Sequence, residues 1–323
     1  MHQGLTKANI ITLLIETGDL MVQSRANRNL LLVAFMWGTS YTFIKMAIAG
    51  HMPPSVINTL RGLISAVLVY IFFRKVVKTM TWKEFKIGAV CAVFNFVVVQ
   101  LQSTGLEYTT PSNSSFITSI YVILLPFIAW LFFKRVPPLK IYLSIVLCIF
   151  GMVFLTGIIS TGLQFHMGDF LTVLSAIFYA LQMTYYGYAT KNARPKILAF
   201  QLGFVQAICG VLYSFTIDYG KLPQIDWTVA IGPVIYLGVV ATFAAQVIQV
   251  TSQKYTDTVT AGLVLMTESL FASIVSVIFH VEPLTQHLVI GGSLIIMATL
   301  TAQFDIRGVV TRYLVNRNMI RKP

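Results

Sequence analysis

A carboxylate stands inside an apolar run of the sequence. Residues 262–280 read GLVLMTESLFASIVSVIFH, and Glu268 is the only acidic side chain among them. A charge at the centre of a membrane-spanning helix costs roughly 2.5–3.5 kcal/mol on insertion scales, so it needs a compensating role. Glu268 could bind a substrate or exchange a proton, or it could form a buried ion pair or hydrogen bond that fixes helix packing. Removal from water favours the neutral acid, whereas a nearby cation favours the carboxylate.

Two cationic side chains, Arg61 and Lys45, also lie inside apolar runs. The guanidinium of Arg61 could hold a carboxylate in a bidentate fork, which suits an amino acid or an organic acid. Either side chain could instead extend along its helix to the membrane surface. That second interpretation suits Lys45 better, because Lys45 lies near the end of its run.

Aromatic and amide side chains within the apolar runs complete the candidate binding set. Aromatic rings can stack on a planar substrate or serve only in packing. Amides can contact a substrate or join neighbouring helices through hydrogen bonds. The candidate substrate-binding residues are Glu268, Arg61, Lys45, Trp37, Tyr41, Asn95, Tyr121, Tyr179, Gln182 and Gln246.

The sequence lacks the patterns that enzymes and metal sites require. None of the five histidines forms a His-x-x-x-His pair, and Cys91, Cys148 and Cys209 lack ligand spacing. No phosphate-binding loop, nucleophile motif or Cys-x-x-Cys is present. We therefore predict no catalytic residue, no metal and no cofactor, and a membrane-embedded enzyme or a receptor is the less favoured alternative.

The elements that carry these residues are apolar runs of membrane-spanning length. Charged residues make up 11% of the chain, against about 25% in soluble domains. Because about 20 residues cross a hydrocarbon core, we predict an all-α integral membrane protein with ten transmembrane helices. The predicted spans are 29–49, 55–73, 86–104, 114–133, 141–158, 170–190, 197–217, 228–249, 259–279 and 287–304.

Basic residues between the spans predict the orientation in the membrane. Twenty Lys and Arg residues fall on segments of one side, and Lys221 alone falls on the other. Because cytoplasmic loops carry the excess of basic residues, we predict that both termini are cytoplasmic. The same clustering explains the net charge of +12 without nucleic-acid binding. Residues 1–27 and 306–323 are predicted cytoplasmic tails, with no signal-peptide cleavage site evident in the first.

Two segments indicate an internal repeat. Residues 96–109, FVVVQLQSTGLEYT, align without gaps to residues 243–256, FAAQVIQVTSQKYT, with identical residues at five positions, including Gln102 and Gln249. The predicted repeats cover 28–160 and 168–305, with five spans each. An odd number of spans inverts the second repeat relative to the first. Inverted repeats are typical of secondary transporters, which bind substrate near the midplane and expose it alternately to each side.

The chain resembles the EamA-domain exporters of the drug/metabolite transporter superfamily over about residues 29–305. The matching segments are WGTSYTFIKMAI, GLEYTTPSNSSFITSIYVILLPFIAWLFF, YLGVVATFAAQVIQVTSQKYTDTVTAGLVLMTESLFASIVSVIFHVEPLT and IGGSLIIMATL. The resemblance implies two inverted five-helix repeats around a central cavity lined mainly by spans 1–4 and 6–9. Family members often carry Glu-Pro in span 9, where this chain has Glu268 and Ser269. Glu282 matches an acidic residue that is common after that span, whereas its counterpart after span 4 is replaced near Lys134-Arg135.

We therefore predict a multi-pass secondary transporter of a bacterial-type inner membrane. The resemblance implies export of a small metabolite, such as an amino acid, an organic acid or an amphipathic compound. Membrane lipid surrounds the protein, and a proton or another ion is the candidate coupling partner, while the oligomeric state stays open. A passive channel-like facilitator is the alternative, and it would show neither saturation nor counterflow.

Overall fold

The computed structural model describes residues 7–134, 139–155 and 167–303, and across these ranges the chain contains helices, turns and loops but no strand. This confirms the predicted all-α class. The helices are α1 (Lys7–Ala49), α2 (Pro54–Val77), α3 (Trp82–Gly105), α4 (Pro111–Thr118), α5 (Tyr121–Phe133), α6 (Leu139–Leu155), α7 (Met167–Asn192), α8 (Pro195–Thr216), α9 (Trp227–Tyr236), α10 (Ala245–Ser252), α11 (Thr258–Leu265), α12 (Glu268–Ile278) and α13 (Gln286–Gln303). A π-helical segment (Leu237–Ala244) joins α9 to α10, and short 3₁₀ helices form at Tyr219–Gln224 and Gln253–Tyr255.

Eight helical segments in the described residues are long and apolar enough to cross a membrane, so the chain is a multi-pass membrane protein. They are Val22–Ala49, Pro54–Val77, Trp82–Gly105, Pro111–Phe132, Met167–Asn192, Pro195–Thr216, Trp227–Tyr255 and Thr258–Ile278. The two other predicted spans, 141–158 and 287–304, correspond to α6 and α13, which pack against each other. The predicted basic tail 306–323 lies outside the described residues.

Helix α1 begins well before the first predicted span. It runs from Lys7 without a break to Ala49, over 43 residues, and its candidate span begins at Val22. Half of residues 7–28 are good helix formers such as Ala, Leu, Lys and Arg, no proline interrupts them, and Gly18 is the only glycine. The predicted N-terminal tail is therefore helical along most of its length.

Two of the spans are interrupted at matching places. α4 ends at Thr118 before α5 begins at Tyr121, and α11 ends at Leu265 before α12 begins at Glu268. At both breaks the backbone tightens to bonds between residues three apart, Ile120 N to Ile117 O and Thr267 N to Val264 O. The two breaks are 147 residues apart, which is the offset of the sequence repeat. Tyr121 and Glu268 therefore occupy equivalent positions.

Helices α2 and α8 form a close packing contact within the protein. A Cβ added to Gly62 would lie 2.7 Å from the Ala207 backbone nitrogen, and one added to Gly203 would lie 2.8 Å from that of Ala66. Each helix thus presents a glycine and an alanine four residues apart to the other. Small residues at this spacing let membrane helices approach until their backbones touch. Helix α3 packs against α7 and α8 beside this contact.

Candidate functional site

Glu268 is the first residue of α12, and its side chain is only 3% exposed. Helix α1 lies directly against it, because a Cβ at Gly38 would come within 2.6 Å of the Glu268 carbonyl oxygen. The Tyr41 hydroxyl donates to Glu268 Oε1 at 3.3 Å and accepts from Gln102 Nε2 at 2.8 Å. In the described residues, no basic side chain lies within 4 Å of this carboxyl group. Within the described ranges, Glu268 therefore has a neutral partner and no counter-ion.

Arg61 projects from α2 toward the π-helical segment and is 5% exposed. Its Nε donates to Thr242 Oγ1 at 2.8 Å, and the Thr242 hydroxyl donates to the Leu237 carbonyl oxygen five residues back. The described part of the chain places no carboxylate within 4 Å of the guanidinium. Extension of Arg61 to the membrane surface is therefore the wrong interpretation, because the side chain is buried against another helix. Single π-helical turns within α-helices occur frequently at functional sites.

One face of α1 connects the surroundings of Arg61 and Glu268. Trp37 Nε1 donates to the carbonyl oxygen of Ala241, the residue before Thr242, at 3.0 Å. Tyr41, four residues after Trp37, holds Glu268. Residues four apart lie one above the other on a helix. Consecutive turns of α1 therefore contact the segment that holds Arg61 and the carboxyl group of Glu268.

The predicted aromatic residues line the same region. The Trp37 and Tyr179 rings meet edge to face at 6.2 Å between centroids, and Tyr179 meets Tyr121 in the same way at 4.4 Å. The Tyr121 hydroxyl donates to the Gly262 carbonyl oxygen at 2.8 Å. Tyr41, one turn after Trp37 on α1, connects this cluster to Glu268. Four aromatic candidates and Glu268 are thus brought together.

Asn95 and Gln182 lie in a network that joins four helices. Gln182 Nε2 donates to Asn95 Oδ1 at 3.2 Å, and Asn95 Nδ2 donates to Gln206 Oε1 at 3.1 Å. Gln206 Nε2 in turn donates to the Asn58 carbonyl oxygen at 3.1 Å. Side-chain bonds of this kind hold membrane helices together, and this network links α2, α3, α7 and α8.

Several buried polar atoms near these groups lack a hydrogen-bond partner within the described ranges. They include the Tyr179 hydroxyl and the Oε1 atoms of Gln182 and Gln246. Most buried side-chain polar atoms in proteins have a partner, so each exception needs an explanation. A polar ligand or water between the helices would satisfy them. Gln246 therefore stays a candidate through its unused acceptor.

Lys45 is half-buried and binds the end of another helix. Its Nζ donates to the carbonyl oxygens of Leu106 at 2.6 Å and Thr109 at 2.9 Å, just beyond the C-terminus of α3. A cation there complements the exposed carbonyls and the helix dipole. The ammonium group of Lys45 therefore reaches the end of α3, which agrees with the interpretation that this side chain extends along its helix toward the membrane surface. Near the same end of the molecule, Glu282 accepts from the Ser112 backbone nitrogen at 3.3 Å.

Thr242 is the residue that sequence reasoning missed. It is the direct partner of Arg61, yet it reads as one polar residue in an apolar run. The internal repeat could have indicated Thr242, because the 147-residue offset aligns it with Asn95, another buried polar residue. The described residues contain no group of three or more His, Cys, Asp or Glu side chains that could hold a metal ion.

Comparisons with known proteins match most of the chain. A model of the EamA-like transporter family matches residues 27–157 and again residues 166–302. A protein of Archaeoglobus fulgidus, described as an uncharacterized transporter, is 33% identical over 276 residues, which are 85% of this chain and 84% of the relative. A solved structure described only as "Crystal structure of protein" has a TM-score of 0.70 at 15% identity and covers 88% of this chain and 99% of its own. That last similarity concerns the fold alone.

Proposed function

Because the chain belongs to the EamA-like transporter family, we propose that it is a secondary transporter that exports a small metabolite across the cytoplasmic membrane. The family consists of transporters and not of enzymes. The observation that carries the proposal is the pair of buried residues Arg61 and Glu268, each without an ionic partner in the described part of the chain. Intramembrane ionisable residues commonly mark substrate or proton pathways.

The side chains around these two residues favour an amino-acid-like substrate. The Nε of Arg61 is occupied by Thr242, and its two Nη groups can form a fork for a substrate carboxylate. Glu268 can accept a substrate ammonium group, and Trp37, Tyr121 and Tyr179 can hold an apolar part. A simple organic acid would use Arg61 alone, with Glu268 exchanging the coupling proton.

The proposed mechanism is alternating access between two inverted five-helix repeats, which gives ten transmembrane helices with both termini cytoplasmic. The matching breaks at α4–α5 and α11–α12 support this arrangement, because transporter sites are typically built at discontinuous helices. Arg61 and Tyr41 come from the first repeat, whereas Thr242 and Glu268 come from the second. Rocking of one repeat against the other would change both contacts together.

The test begins with a metabolite screen that compares export from cells with and without the protein. The best-exported compound is then loaded into proteoliposomes, where a carrier shows saturation and counterflow. The alternative is a passive facilitator. A flux that rises linearly with substrate concentration, without counterflow, would support that alternative and contradict our proposal.

The critical variant is Glu268→Gln, which keeps the shape and hydrogen bonding of the side chain but cannot ionise. We expect it to insert normally, to lose most transport and to show a flattened pH dependence. Glu107→Gln is the matched control, because it makes the same change at a half-buried residue just after α3. If Glu268→Gln transports with wild-type kinetics while Glu268→Leu misfolds, the role of Glu268 is structural and not in transport.

A further inference from the structure

A basic cavity of about 560 Å³ opens at one end of the helices, away from Arg61 and Glu268. Its charged lining residues are Lys83, Glu84, Lys191, Arg194 and Lys254. Four candidate spans begin or end beside it, at Trp82, Asn192, Pro195 and Tyr255. The cavity therefore lies at the level of a membrane surface, and the excess of basic residues predicts that this surface is cytoplasmic.

Glu84, the only acidic residue among the described residues of the lining, is already paired with Arg194. Arg194 Nε lies 2.7 Å from Glu84 Oε1, and Arg194 Nη2 donates to Glu84 Oε2 at 2.8 Å. Arg194 also donates to the side chain and the carbonyl oxygen of Thr79. The hydrogen bond to Glu84 raises the pKa of Arg194, so the guanidinium stays charged. This pair neutralises itself and offers no free carboxylate to the lysines.

The three lysines of the lining come from distant parts of the chain. Lys83 lies in the first turn of α3, Lys191 in the last turn of α7, and Lys254 in the 3₁₀ helix after α10. No described carboxylate lies within 4 Å of any of their ammonium groups. Like charges gathered at one cavity repel each other, and a bound anion would relieve that repulsion.

We propose that the basic cavity binds the phosphate group of an anionic membrane lipid. Its position at the membrane surface favours a lipid headgroup over free phosphate, since basic pockets between transmembrane helices suit such headgroups. Trp82, beside the cavity at the start of α3, is 69% exposed and stacks on Phe85. Exposed tryptophan at a span end is typical of the membrane interface.

A lipid held there would contact both of the segments that match the family. Lys83 belongs to residues 27–157, whereas Lys191 and Lys254 belong to residues 166–302. The lipid would therefore link the two segments at one membrane surface. This inference does not depend on the identity of the transported substrate.

The experiment titrates phosphatidylglycerol into the purified full chain in detergent and counts bound lipids by native mass spectrometry. The test variant combines Lys83→Gln, Lys191→Gln and Lys254→Gln. The matched control combines Lys75→Gln, Lys78→Gln and Lys140→Gln, which removes the same charge near the end of α2 and the start of α6 but outside the cavity lining. We expect the test variant to bind the first phosphatidylglycerol roughly tenfold or more weakly, with the control close to wild type.

Three outcomes would overturn the assignment. If both triple variants bind phosphatidylglycerol equally weakly, the effect comes from general surface charge and not from the cavity. If the protein binds phosphatidylcholine as tightly as phosphatidylglycerol, the anionic headgroup has no role in binding. Inorganic phosphate that binds with the same lysine dependence, without phosphatidylglycerol binding, would make the ligand a soluble phosphate. If the triple variant folds poorly, the single variant Lys191→Gln, which changes one exposed side chain, replaces it in the test. An unchanged affinity of Lys191→Gln for phosphatidylglycerol would contradict the proposal.

Discussion

Arg61 and Glu268 are each held by one neutral hydroxyl group. Thr242 orients the guanidinium, and Tyr41 orients the carboxyl group, without cancelling either charge. A direct ion pair would neutralise both side chains and leave little for a ligand to bind. Hydroxyl partners fix the direction of the side chain and leave its charge available to a substrate, which fits a binding role better than a purely structural one.

Arg61→Lys tests whether the fork geometry matters. Lysine keeps the positive charge but presents a point charge that cannot bind a carboxylate in two parallel bonds. For a carboxylate-bearing substrate, we expect KM to rise about tenfold, as befits the loss of one charge-assisted hydrogen bond. Initial transport rates against substrate concentration in proteoliposomes give KM and the maximal rate separately.

The matched control for this change is Arg74→Lys at the exposed end of α2. It should leave KM unchanged, because Arg74 lies outside the candidate site. An unchanged KM in Arg61→Lys as well would show that the guanidinium does not contact the substrate.

At the scale of single helices, the contact between α2 and α8 depends on the absence of side chains. Gly203→Leu would place its Cβ 2.8 Å from the backbone nitrogen of Ala66. Backbone cannot move aside like a flexible side chain, so the helices must separate. Overpacking typically costs about 1–3 kcal/mol, and we expect a lower melting temperature and a lower yield in detergent. Gly232→Leu is the control, because nothing lies within 4 Å of a Cβ at that position, and equal loss in both would contradict the packing argument.

The long helix α1 raises a separate question about its first turns. Its candidate span begins at Val22, and the contacts to Ala241 and Glu268 come from Trp37 and Tyr41. A chain that starts at Met21 keeps all of these residues. We expect such a truncation to insert and transport like the full chain, as measured by membrane yield and initial rate. Loss of transport in stably inserted protein would give residues 1–20 a functional role.

At the scale of the whole molecule, the proposed ten-helix topology places Pro323 in the cytoplasm and the loop at Thr110 outside. The reason is the distribution of basic residues, since Lys and Arg are retained on the cytoplasmic side during insertion. Fusions of a reporter that is active on one side of the membrane should give opposite signals at these two positions. Equal signals would reject the ten-helix arrangement, and a fusion near Lys78, predicted to be cytoplasmic, serves as the internal control.

Properties that are local in the chain can be derived from the amino-acid sequence alone. The all-α class and the multi-pass character follow from the length of apolar runs, because that length must match the hydrocarbon thickness. Glu268 and Arg61 could be singled out because a charge inside an apolar run is visible without any tertiary information. The break between α11 and α12 and the π-helical segment were not predicted, because apolar composition alone does not reveal where a spanning helix deviates.

Which side chains meet depends on how the helices pack in three dimensions. Arg61 forms a hydrogen bond with Thr242, which is 181 residues away in the sequence, and Tyr41 forms one with Glu268, which is 227 residues away. The tertiary structure also assigned Lys45 to the end of α3 and Asn95 to an interhelical network. The physical reason is that a membrane helix is apolar toward lipid and toward its neighbours alike, so hydrophobicity does not show which face is inside. The partners of each polar residue are therefore set by how the helices pack.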